Sequence, residues 1–169
     1  FMTVSRRTAL AGGVALAACG PTSVVAPRVK VPGPNFGVSP FSFGVASGDP
    51  LPDAVVLWTA LEVEQGRDEV SVGYEVASDV FFDRVVRSGV TTARVESGHT
   101  VKVDVTGLPA ATSLFYRFVV PGQVSAIGKT KTLPAPGATP DQFRFGIGSC
   151  QDFRDGLFTA HRHAAAENF

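Results

Sequence analysis

Apolar and polar residues alternate with period two along most of the chain, in short runs separated by turn residues. Val101, Val103 and Val105 alternate with Lys102 and Asp104, the mark of a strand with one face in a core and one in water. Val70, Val72, Tyr74 and Val76 alternate with Ser71, Gly73, Glu75 and Ala77 and predict a second half-buried strand. The run Ala54–Ala60 has no alternation, so it predicts a strand buried on both faces, with Trp58 packed between sheets. Phe43–Ser47, Val85–Val90, Phe115–Val120 and Gly128–Thr132 complete the set. The last carries Lys129 and Lys131 on its outward side, a pair suited to a sheet edge. About seven short strands at this spacing predict an immunoglobulin-like or fibronectin type III-like β-sandwich over residues 41–133. Long windows of apolar residues at helical spacing are missing, which excludes a helical bundle.

The turn Gly107–Thr112, before the aromatic strand, is similar to the corner preceding a late strand of fibronectin type III domains. That corner commonly carries a Tyr whose hydroxyl bonds back to the turn; here Leu114 stands at the matching place and the nearest Tyr is Tyr116. After a proline-rich linker, residues 134–141, the pattern changes. Phe143–Gly148 predicts a strand, and Gly156–Asn168 a helix with Leu157, Ala160 and Ala164 on one face. Strand, loop and helix would form the first β-α unit of an α/β domain starting at residue 142. The fold class expected is therefore mainly β, a sandwich followed by the opening of an incomplete α/β domain, and the chain reads as the front end of a longer protein.

Residues 1–19 read as an export signal. Arg6 and Arg7 precede a mild apolar run of about ten residues, too short to cross ~30 Å of hydrocarbon. The paired arginines resemble the twin-arginine export signal, with Ala9 where that signal usually has Phe, so the twin-arginine machinery is an expected partner and the expected location is periplasmic or extracellular. Leu16-Ala17-Ala18-Cys19 resembles a lipobox, which makes Cys19 a candidate lipid anchor; a plain cleavage site at Ala15-Leu16-Ala17 is the alternative. Residues 20–40 hold Pro21, Pro27, Pro32, Pro34 and Pro40 without any period and read as a tether unable to join a sheet.

Charge narrows the partners. Fifteen Lys+Arg balance 15 Asp+Glu, so no excess positive field is available to attract nucleic-acid phosphates, and sequence-specific nucleic-acid binding is not expected. At 44% apolar and 18% charged residues, charge-driven disorder is not expected either.

Candidate chemistry sits in one loop, Ser149-Cys150-Gln151, at the carboxyl end of the expected strand. With Cys19 in the export segment, Cys150 is a lone thiol in an exported protein. Three readings stand side by side: a buried structural thiol, a disulfide to Cys19, and a metal thiolate where open α/β sheets place their ligands. Asp152 and Asp155 nearby form no recognisable cage. His161 and His163 are two apart on a helix and face different sides, so they cannot chelate one ion; His99 reads as a loop residue. Nucleophile-elbow, phosphate-loop and dinucleotide fingerprints are absent.

The stretch Phe43–Thr59, Phe-Gly-Val-Ala-Ser-Gly-Asp-Pro-Leu-Pro-Asp-Ala-Val-Val-Leu-Trp-Thr, resembles the opening of the PhoD-type alkaline phosphatases/phosphodiesterases. The twin arginines, Val101–Val105, Gly107-Leu108-Pro109, Tyr116-Arg117-Phe118, Gly128–Thr132 and Phe145–Gln151 are similar to the same family. The resemblance implies a sandwich preceding a metallophosphoesterase domain that binds Fe3+ with Ca2+ and hydrolyses phosphate mono- and diesters outside the cytoplasm to recover phosphate. It maps the family's iron-ligating Cys onto Cys150, and this moves the weight from buried thiol to prospective ligand. A thiolate is an anionic donor suited to a trivalent ion, while Ca2+ takes oxygen ligands. The other ligands implied by the family would lie beyond residue 169, so no catalytic residue is assigned within the chain, and the 169 residues alone are expected to be inactive. Asp49 and Asp53, in the signature stretch, read as turn and packing residues. The alternative is a non-enzymatic exported lipoprotein whose sandwich binds a ligand or protein through an exposed aromatic platform.

Overall fold

The computed structural model describes residues 27–149, 152, 154 and 158–167. They fall into two units, one within Pro21–Ala138 and one within Thr139–Phe169. The export signal, Cys19, Cys150, Gln151, Asp155 and Leu157 lie outside the described residues.

The first unit is a sandwich of antiparallel sheets. Strands β1 (Val45–Gly48), β2 (Ala54–Ala60) and β5 (Thr100–Thr106) form one sheet in the order β1-β2-β5. The other has β4 (Val85–Arg94), β3 (Glu69–Ala77), β6 (Ser113–Val120) and β7 (Gln123–Val124) in that order, with β8 (Gly128–Lys131) also paired to β6. Two sheets pack because each has an apolar face to remove from water. Val55 and Leu57 of β2 and Val101 and Val105 of β5 meet Val72 and Val76 of β3 and Leu114, Phe118 and Val120 of β6. Each such side chain contributes about 1.5–3 kcal/mol on full burial. β8 pairs only with β6, and its exposed Lys129 and Lys131 occupy the edge as expected.

Several elements differ from the sequence pattern. Trp58 does not lie in the core. Its neighbours Leu57 and Thr59 are fully buried on the inner face, while Trp58 is half-buried on the outer face, between Ala46 of β1 and Lys102 of β5. An unbroken apolar run hides which residues point inward, so periodicity could not assign its side. β3 is buried on both faces rather than one: Gly73, Glu75 and Ala77 are as enclosed as Val72 and Val76. β4 continues to Arg94 and β7 follows the turn at Pro121-Gly122; a two-residue strand is too short to show a period.

What covers the outer face of β3 is part of the stretch expected to be a tether. Residues 28–36 form no ladder, in keeping with their prolines, but they are fastened to the sandwich. The backbone N–H groups of Arg28 and Val29 donate to Glu75 Oε1 at 2.5 and 2.7 Å. Phe36 N–H donates to the Pro121 carbonyl at 2.9 Å. Prolines lack donors, but the residues between them do not, and these find acceptors on β3 and at the end of β6.

In the second unit, residues 143–148 are not a strand, and Phe143, Phe145 and Ile147 are each about 60% exposed (63%, 61% and 59%). Among the described residues no strand pairs with them, and a strand without a neighbour has no ladder for its backbone donors. The helix α1 spans Thr159–Ala166, shorter than expected. It is preceded by Phe158, whose left-handed φ of 51° and apolar side chain give no N-cap bond. Ala160 and Ala164, the shared face read from the sequence, are its half-buried residues.

Candidate functional site

The signature stretch folds as the β1–β2 connection. Asp49 takes a left-handed φ of 49°, a conformation Asp tolerates better than most residues. Leu51 N–H closes the turn on the Ala54 carbonyl at 2.8 Å, and the Leu51 carbonyl accepts from Leu133 N–H at 3.1 Å. The Asp53 carbonyl accepts from Leu108 N–H at 2.8 Å. The stretch thus ties the start of the sandwich to its last residues. Asp49 and Asp53 are exposed and act through backbone geometry, in line with the turn role but not with packing.

The corner at Gly107–Thr112 is held without a tyrosine. Thr132 Oγ1 donates to the Pro109 carbonyl at 2.6 Å and accepts from Thr112 N–H at 3.0 Å. Leu114 is fully buried in the core, and Tyr116, also buried, reaches the Ser47 side chain instead. No periodic signal marks Thr132; its value lies in closing a turn 20 residues away.

The most concentrated polar chemistry among the described residues is Glu75 with Arg117, cross-strand partners in register on β3 and β6. Arg117 Nε and Nη2 lie 2.8 and 2.7 Å from Glu75 Oε2, and both side chains are 0–1% exposed. The Phe82 ring covers the guanidinium at 4.0 Å. Phe82 is carried by a loop in which Asp79 accepts backbone N–H groups from Phe81, Asp83 and Arg84. With one oxygen on Arg117 and the other on two N–H groups of the 28–36 segment, the carboxylate is satisfied on both sides. It is a structural ion pair, and alternation had placed Glu75 in water.

As for metal, Cys150 lies outside the described residues, and among those described no three His, Cys, Asp or Glu side chains come together. His161 and His163 are exposed on α1, with His161 stacked on Phe158 at 5.8 Å. His99 Nε2 lies 2.8 Å from the Arg67 carbonyl, a loop contact. Among the described residues no helix is long and apolar enough to cross a membrane.

Comparison with known proteins bears on this sandwich directly. The family described as PhoD-like phosphatase, N-terminal domain, matches residues 26–134. The chain belongs to this family. Alkaline phosphatase D of Bacillus subtilis (strain 168) is 44% identical over 140 residues, covering 79% of this chain and 24% of that protein. A solved structure described as the structure of PhoD superimposes with a TM-score of 0.77 at 44% identity, covering 80% of this chain and 27% of its own. The chain thus spans about a quarter of the length of the curated relative it matches. The sandwich with antiparallel sheets is the fold of the family's N-terminal domain.

Proposed function

We propose that the chain is the amino-terminal part of an exported, metal-dependent PhoD-like phosphatase that hydrolyses phosphate mono- and diesters for phosphate recovery. The observation that carries this is the 44% identity to an alkaline phosphatase over most of the chain. Since the chain spans a quarter of that relative, hydrolysis belongs to the whole protein and is not assigned to the sandwich. On this reading residues 1–19 direct export through the twin-arginine machinery, with Cys19 open to lipidation, residues 41–133 are the N-terminal domain, and residue 142 begins the metallophosphoesterase domain. Cys150 is the donor this chain would offer to a ferric ion, its thiolate being an anionic donor suited to a trivalent ion while calcium goes to oxygen ligands. Bound metals would supply Lewis-acid polarisation of the phosphoryl group.

The whole protein should hydrolyse p-nitrophenyl phosphate or its bis-ester after supply of iron and calcium. Failure with both esters would overturn the activity. Elemental analysis of native protein and Cys150→Ser tests the ligand separately: the variant should lose iron, and unchanged iron content would remove Cys150 from the metal centre.

A further inference from the structure

We propose that residues 27–36 are a detachable strap, and that the face of β3 and β6 beneath it is a peptide-binding site which this chain fills with its own segment. The site reads a specific pattern. Arg28 Nη2 donates to the Asp83 carbonyl at 2.6 Å, and Glu75 Oε1 takes two successive backbone N–H groups. Val29 and Val31, alternating with exposed Arg28 and Lys30, lie over Gly73. A Cβ at Gly73 would stand 2.7 Å from Val31 Cγ2 and 2.9 Å from Val29 Cγ1, so the missing side chain is the notch that admits the valines. At the far end Phe36 N–H meets the Pro121 carbonyl, and Gln123 Nε2 donates back to the Phe36 carbonyl at 3.2 Å. The ligand class is a short peptide with an arginine followed by valines at alternate positions.

Three features make the strap separable. It has no strand ladder to the sheet; besides these bonds it is held by the Phe36 ring, which packs against the core and lies under Arg67 at 4.6 Å. A cavity of about 320 Å³, lined by Pro27, Val29, Val31, Val119, Val120 and Gln123 among others, lies alongside it, so it does not fill its own groove. The chain between strap and sandwich, Gly37-Val38-Ser39, is exposed, Val38 by 81%, whereas Phe41 is pinned in the core. The strap can lift about this short segment while Phe41 holds the rest in place, the local opening expected of a segment held by few backbone hydrogen bonds.

The full 169-residue chain tests this with a fluorescein-labelled peptide of residues 27–36. A site occupied in cis shows a reduced apparent affinity, in proportion to the fraction open. Val29→Asp with Val31→Asp, both on the strap, should free the site and tighten peptide binding about tenfold or more over native chain, by that same proportionality. Adding Gly73→Val should abolish it. Amides of Arg28 and Val29 should exchange with deuterium faster than those of Tyr116 and Phe118. Equal binding of native and strap variant, equal binding of a scrambled peptide, exchange of strap and β6 amides at one rate, or loss of cooperative unfolding in the strap variant would each overturn the proposal.

Discussion

Glu75 and Arg117 face each other from neighbouring strands as a fully buried ion pair, 2.7 Å apart at their closest atoms. Removing one member of such a pair strands the other charge in a dry environment, at a cost of about 3–5 kcal/mol. Arg117→Met should lower stability by that order in urea unfolding. Arg117→Met with Glu75→Gln should cost clearly less than the two single changes added together, because no charge remains unpartnered. Additive losses would show that the two side chains act independently.

Leu57 and Trp58 should reverse the order that their sizes suggest. Leu57 is fully buried, so Leu57→Ala should cost about 2–5 kcal/mol. Trp58 keeps one side toward solvent on the outer face, and Trp58→Ala should cost less. As the chain's single Trp, it also reports directly: its fluorescence should be quenched by acrylamide in the folded protein, and a fully shielded emission would contradict the outer-face placement.

Thr132 replaces the tyrosine hydroxyl at the corner. Thr132→Val keeps the shape but leaves the Pro109 carbonyl and the Thr112 N–H without their partner, at a cost of about 1–3 kcal/mol. Thr132→Ser should restore most of the loss. Equal stability of the Val and Ser variants, by thermal or chemical unfolding, would show that the hydroxyl has no such role.

Burial pushes the Tyr116 hydroxyl above its ordinary value of 10.0, the bond to Ser47 offsetting part of the rise. A raised value means the folded state holds its proton more tightly than the unfolded one. That contribution is complete below 10.0 and is lost as pH climbs through the folded value. The native chain should therefore weaken in that alkaline window. Tyr116→Phe should show a flatter alkaline limb in unfolding monitored by circular dichroism.

Much of the sandwich was legible because a half-buried strand states its orientation in its own residues. Val101, Val103 and Val105 against Lys102 and Asp104 leave no doubt about which face is wet. Trp58 and Glu75 were misplaced for opposite reasons. The β2 run offered no contrast by which to choose a face, and the β3 contrast was real but its outer face is covered by residues 28–36, distant in sequence, while Phe82 lies over the partner Arg117. The strand expected at residues 143–148 had the right pattern, but pairing depends on a neighbour that local sequence does not supply. For the candidate site, the turn roles of Asp49 and Asp53 were readable from their Gly and Pro surroundings. Thr132 and the Glu75–Arg117 pair were not, because partners 20 and 42 residues apart leave no local trace.

Burial of β3 on both faces sets how freely its residues can vary. Along β5 every second position looks into water and can accept almost any polar replacement. Along β3, Gly73 admits no larger group without disturbing the valines above it, Glu75 answers to three donor residues, and Val72 and Val76 fill the interior. Saturation mutagenesis should therefore trace a sawtooth of tolerance along β5 and a flat floor along the middle of β3.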